Sequence, residues 1–207
     1  MLFSDPSSGG SEASRAMLVL HTLRILGSAS ADRAAAIFGL DPEWVAEHLL
    51  DSEAVGLVRR TRWDGSELWS LTERGKAANE SSLKSECAAA GAVSLVEWAL
   101  ETFESVNGRV TAACTAWQLD ERPPGAGVPA SLLQELSYCG ARLAEVTSQL
   151  STRLARFGVH QRRYDLALDR VRAGHSSWID SPALPSLHLV WMGVHEDLLA
   201  TLGRNRG

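Results

Sequence analysis

The sequence predicts a mainly α-helical chain with one small β-hairpin in its first half. Three observations predict it. Apolar residues recur at three- and four-residue steps through most of the length, a single Asp-Gly turn is flanked by strand-like runs, and glycines fall where several periodic segments stop.

Composition sets the limits. With 207 residues, 45% of them hydrophobic and 22% charged, the chain buries a full core and makes one large or two small domains. No apolar run approaches the roughly 18 residues needed to cross a bilayer, and the start, MLFSDPSSGGSEAS, lacks a basic stretch followed by an apolar one. The expectation is a soluble, cytoplasmic protein with no membrane partner. Cys87, Cys114 and Cys139 are odd in number and widely spaced, which supports neither a disulfide framework nor a zinc motif. Buried, reduced thiols are expected. A pI near 5.7 argues against coating nucleic acid through bulk charge, although a local basic patch can still bind it.

Residues 1–13, rich in Ser, Gly and Pro, read as a mobile tail. A first helix follows through RAMLVLHTLRIL, with Ala16, Leu20, Leu23 and Leu26 on one stripe and Gly27 as its stop. Ser30 caps a second, short helix that ends at Gly39. Asp41-Pro42 starts a third, because the carboxylate accepts from exposed amides while proline fills the first helical position without losing a bond. Its residues Val45, Leu49 and Leu50 are expected in the core. A strand to Trp63, the turn Asp64-Gly65 and a strand Leu68 to Leu71 then make a hairpin, with Trp63 and Trp69 packing it onto the helices. Three helices followed by a hairpin make a winged helix-turn-helix, over residues 14–83.

The order of these elements, with GLVRR leading into the hairpin and WSLTERGKA closing it, resembles the MarR and PadR-type winged-helix transcriptional regulators of bacteria. The resemblance covers about a third of the chain. It implies an operator in double-stranded DNA as partner, a homodimer, and a helical extension that dimerises and holds an effector; residues 84–207 are assigned that role.

Those residues read as helical. Ala92, Leu95, Val96, Ala99, Leu100 and Phe103 form a stripe that is expected to break at Asn107-Gly108 and resume with Val110, Ala113, Cys114 and Trp117. The Pro- and Gly-rich segment from Asp120 to Ser131 is a loop. Leu132, Leu136, Cys139, Leu143, Val146, Leu150 and Leu154 then alternate four- and three-residue steps, a seam for a helix of this chain or of a second copy. A helix ending at Gly174 and a last one from about Ser186 to Gly203 complete the pattern.

Arg59, Arg60 and Arg62 are the candidate DNA contacts on the hairpin, since phosphate neutralisation needs clustered cations; the alternative is pairing with Asp64, Glu67 or Glu73. Helix three pulls the other way, carrying five carboxylates and no Lys or Arg between Asp41 and Ala54. Its outward set, Glu43, Trp44, Glu47, His48 and Asp51, would meet phosphate repulsion, although a glutamate can accept from a cytosine amino group. Residues 14–83 carry a net charge of −2, so affinity must come from the hairpin and from its doubling in a dimer.

The candidate ligand pocket draws on Trp98, Trp117, Trp178, His188, Trp191 and His195, large flat or polar side chains able to wall a cavity for a small, aromatic effector. Ordinary core filling is their other reading. His188 and His195 are two turns apart, about 10 Å along a helix, too far to share a metal, and no metal or cofactor is expected. No phosphate loop, nucleophile elbow or zinc-protease helix is present, so nothing points to catalysis. Two alternatives stay open beside the regulator: a winged-helix-derived protein that binds or acts on a small molecule without reading DNA, and a protein-interaction module using the heptad seam.

Overall fold

A computed structural model describes residues 7–63, 65–121 and 127–204. Among these the chain is mainly helical with one two-stranded antiparallel hairpin. No helix among the described residues is long and apolar enough to cross a membrane. The chain divides into two compact units, 1–86 and 87–207, each with its own apolar cluster.

In the first unit, helix α1 runs Ser7–Leu26, reaching back into the segment expected to be a tail. Once the Ala16–Leu26 stretch is helical, each further N-terminal residue adds a hydrogen bond without a new nucleation step. Helices α2 (Ala31–Phe38) and α3 (Pro42–Ala54) follow, joined through Gly39 at φ 66°, a left-handed value that glycine adopts without strain. Strands β1 (Val58–Trp63) and β2 (Ser66–Leu71) pair from Val58–Leu71 to Trp63–Ser66, which leaves a two-residue turn. Gly65 supplies its positive φ of 73°, while Asp64 and the side chain of Trp63 lie outside the described residues. Ala29, in the α1–α2 link, exchanges two backbone hydrogen bonds with Trp69, at 3.0 and 2.8 Å, adding a one-residue rung to the sheet.

Val19, Leu23, Ala34, Val45, Leu49, Val58 and Trp69 fill this unit's core. Leu50 does not join them and is 48% exposed. Successive helical residues point about 100° apart, and the buried stripe of α3 is Val45, Leu49 and Ser52. Helix α4 (Glu73–Ala89) starts within WSLTERGKA, whose Leu71-Thr72-x-x-Gly75 spacing closes the hairpin. The Thr72 hydroxyl donates to the Gly56 and Leu57 carbonyls at 2.7 and 3.1 Å and accepts from Gly75 N–H at 3.0 Å. One side chain thus ties the end of the hairpin to its beginning and caps the next helix.

The second unit is built from α5 (Val93–Leu119), α6 (Ala130–Ser151), α7 (Gly158–Arg172) and α8 (Leu187–Thr201), with single 3-10 turns at Ala155–Phe157 and Ser176–Trp178. Helix α5 packs on α6, α6 on α7, α7 on α8, and α8 returns to α5, closing a ring around one core. The heptad seam of α6 therefore finds its partners within its own chain. Helix α5 is continuous through Asn107-Gly108, where the sequence suggested a break. The Asn107 amide oxygen is engaged by the indole N–H of Trp191 at 2.9 Å, so it does not compete with the helix backbone. Of the expected 120–131 loop, residues 122–126 lie outside the described residues and α6 already begins at Ala130. All three cysteines are buried.

Candidate functional site

Local chemistry fixes the outer face of α3. The Asp41 carboxylate accepts from Trp44 N–H at 2.8 Å, which anchors the first turn and sets where Trp44 projects. Trp44 and His48, one turn apart, stack with ring centroids 5.1 Å apart and planes 6° from parallel. Arg15 of α1 lays its guanidinium over the same indole at 4.9 Å. Glu43, Glu47 and Asp51 surround this stack and are exposed. Burial holds His48 below its ordinary pKa of 6.5, against the charges of Asp51 and Glu12, which pull it up. The helix thus presents an aromatic stack inside a carboxylate rim.

Strand alternation separates the three hairpin arginines. Arg60 pairs across the ladder with Trp69 and Arg62 with Glu67, so these two share a face, and Arg59, opposite Ser70, points to the other. Arg60 lies over the Trp69 ring at 5.1 Å and is shared between Glu53 at 2.9 Å and Glu67 at 3.4 Å. Arg62 reaches Glu67 at 3.2 Å while its side chain stays 75% exposed. Arg59 Nε donates to Ser70 Oγ at 3.1 Å. The pairing with Glu67 weighed in the sequence is present; the Glu53 contact, from α3, is one that sequence spacing does not suggest.

In the second unit the six residues proposed from the sequence have the following surroundings. Trp191 is buried, stacked on Phe103 at 4.4 Å and beside Tyr164 at 6.0 Å. His195 leans on the same Phe103 at 5.4 Å, with Nε2 4.0 Å from Glu104. Half-buried His188 donates its backbone N–H to the Ile179 carbonyl at 3.0 Å. Trp98 packs against the core, and Trp178 lies beneath Arg170 at 5.8 Å. Trp117 lines a cavity of about 320 Å³ between the C-terminal part of α5 and the start of α6.

The sequence reading missed a buried polar cluster. Asp197 of α8 accepts from His160 Nε2 of α7 at 2.7 Å and from Arg156 at 3.2 Å, and the same guanidinium donates to Thr201 at 2.5 Å. Each of the four side chains is essentially sealed from solvent. The signal was present in two i,i+4 pairs, Arg156 with His160 and Asp197 with Thr201, each set in an otherwise apolar stretch.

Neither family models, curated proteins nor solved structures contain a match to this chain.

Proposed function

We propose that residues 14–83 act as a winged helix-turn-helix head of the MarR/PadR kind, that its partner is double-stranded DNA, and that the chain is a homodimeric, ligand-responsive transcriptional regulator. The observation that carries this reading is the arrangement in the first unit. Two helices joined through a left-handed glycine precede a hairpin whose second strand is tied by two backbone hydrogen bonds to the link before the helix pair.

The electrostatics assign the work within that head. Glu43, Glu47 and Asp51 give α3 no attraction for phosphates, so affinity falls to the hairpin. Arg60 is committed to two carboxylates, whereas Arg59 and Arg62 are exposed, Arg59 donating to Ser70 and feeling the charge of Glu73, Arg62 reaching Glu67. An exposed ion pair such as Arg62–Glu67 is worth about 0–1 kcal/mol, so exchanging Glu67 for a phosphate costs little. Glu43 or Glu47 adds discrimination by accepting from a cytosine amino group.

The carboxylate rim of α3 and the Glu53–Arg60–Glu67 chain favour one second reading, a head that no longer docks DNA on a protein that binds a small molecule. Fluorescence anisotropy of a labelled duplex from the protein's own promoter, at about 50 and about 200 mM salt, separates the two. Binding that weakens steeply with salt, with a slope reduced by about 2 in the Arg59→Ala/Arg62→Ala variant, supports the regulator. No binding to any fragment at the lower salt leaves the second reading.

A further inference from the structure

We infer that the cavity between the start of α5 and the end of α6 is a binding site for a small organic phosphate, a phosphoryl group on a compact apolar body. It lies wholly within the second unit, so the inference is independent of whether the head reads DNA.

Two helix ends and the link before α5 build the site. Gly91 in the link, Leu95 in the first turn of α5, and Gln149, Thr152 and Arg153 at the close of α6 line about 380 Å³, room for one ring and its head group. Gly91 sits at φ 59°, and a β-carbon there would come within 3.7 Å of Arg153 Nη1, so glycine keeps the guanidinium uncovered. Arg153 Nη1 donates to the Ala90 carbonyl at 3.1 Å, a bond to a neutral group that orients the fork and leaves its charge uncompensated. Among the described residues Arg153 has no ion-pair partner.

Charge decides the sign of the ligand, and the donors decide its head group. Arg153 is the ionisable side chain of the described lining, and it is a cation. The carboxylates nearest in sequence are taken: Glu145, one turn before Gln149, by Arg142, and Glu97 by Arg204 at 3.4 Å, while Glu86 has a partner of its own. The first turn of α5 and the close of α6 carry opposite partial charges that offset one another, so the guanidinium sets the sign. The Gln149 carboxamide adds two N–H donors to the same wall. Ala92, the N-cap of α5, brings no side-chain acceptor to the first-turn N–H groups, of which Leu95 carries one. A carboxylate has two oxygens in one plane and is satisfied by a guanidinium fork alone. A phosphoryl group has three and can engage Arg153, Gln149 and a first-turn N–H together.

Isothermal titration of the full chain with phenyl phosphate tests this without DNA, beside 3-phenylpropionate and benzyltrimethylammonium as a carboxylate and a cation of similar size. Phenyl phosphate is expected to bind tightest and the cation not at all. Arg153 is exposed, so Arg153→Ala should keep the far-ultraviolet circular dichroism of the parent while weakening phenyl phosphate roughly fivefold, the upper range of an exposed charge pair. Arg153→Lys keeps the charge and loses the fork, so its loss should be smaller. Gln149→Ala should weaken the phosphate roughly threefold and leave 3-phenylpropionate unmoved. Absence of phosphate binding, equal binding of the carboxylate or the cation, or indifference to both Arg153→Ala and Gln149→Ala overturns the inference. Should Arg153→Ala lose helicity, Arg153→Lys and Gln149→Ala decide by the same criterion.

Discussion

Gly75 shows how much one missing methyl can matter. A β-carbon built there would fall 1.9 Å from the Leu57 carbonyl oxygen, a backbone atom that cannot step aside without opening the Thr72 hydrogen bonds. Gly75→Ala is expected to cost about 2–3 kcal/mol, read as a lower urea midpoint at unchanged slope. The closing stretch WSLTERGKA was legible in the sequence but this constraint was not, because the atom that forbids a side chain belongs to Leu57, 18 residues earlier. Cys114 and Cys139 were legible too, as buried thiols, though not their chemistry. Burial, chiefly, pushes both up to about 11, so at pH 8 the reactive thiolate is scarce. Alkylation by iodoacetamide should be slow in the native protein and fast in denaturant. For an acid whose folded pKa is raised, the stabilisation is complete below the unfolded value of 9.0 and lost as pH climbs toward 11. The urea midpoint should accordingly fall over that interval, less steeply in a Cys114→Ala variant; a midpoint independent of pH there would contradict the burial argument.

At the scale of elements, periodicity was informative and partnership was not. Leu136, Cys139, Leu143, Val146 and Leu150 read as a seam from spacing alone, and all are buried. Nothing in the spacing says whether the facing helix belongs to the same chain, because knobs and holes are chemically alike in both cases. The expected break at Asn107-Gly108 failed for a related reason: the group that occupies Asn107 comes from α8, 84 residues away. Between α7 and α8 the buried Arg156–Asp197–His160 cluster carries the sharpest energetic consequence. Asp197→Asn removes a carboxylate that faces both the guanidinium and the imidazole, and breaking a buried ion pair from one side costs about 3–5 kcal/mol. Replacing the pair together, Arg156→Met with Asp197→Leu, should recover most of that loss, since the desolvation of both charges disappears with them. Thermal unfolding of the two variants distinguishes an ion pair that merely fills space from one on which the helix pair depends.

Across the whole molecule, two cores that share no residue make two candidate cooperative units. Leu49 is fully buried in the first and Leu143 in the second, so truncating each creates a cavity in one core while leaving the other's packing intact. Leu49→Ala and Leu143→Ala are each expected to cost about 2–5 kcal/mol. Distant sites with no shared partners add independently, so the double variant should lose the sum in total. Scanning calorimetry reads where the loss falls. If the units unfold separately, the trace resolves two transitions, Leu49→Ala lowers one midpoint and Leu143→Ala the other. If α4, which ends just past residue 86, couples them into one cooperative block, a single transition moves with either change. Separate transitions would also bear on regulation, because an effector held only in the second unit would then raise that unit's midpoint alone, by mass action, unless it also changes what the first unit does.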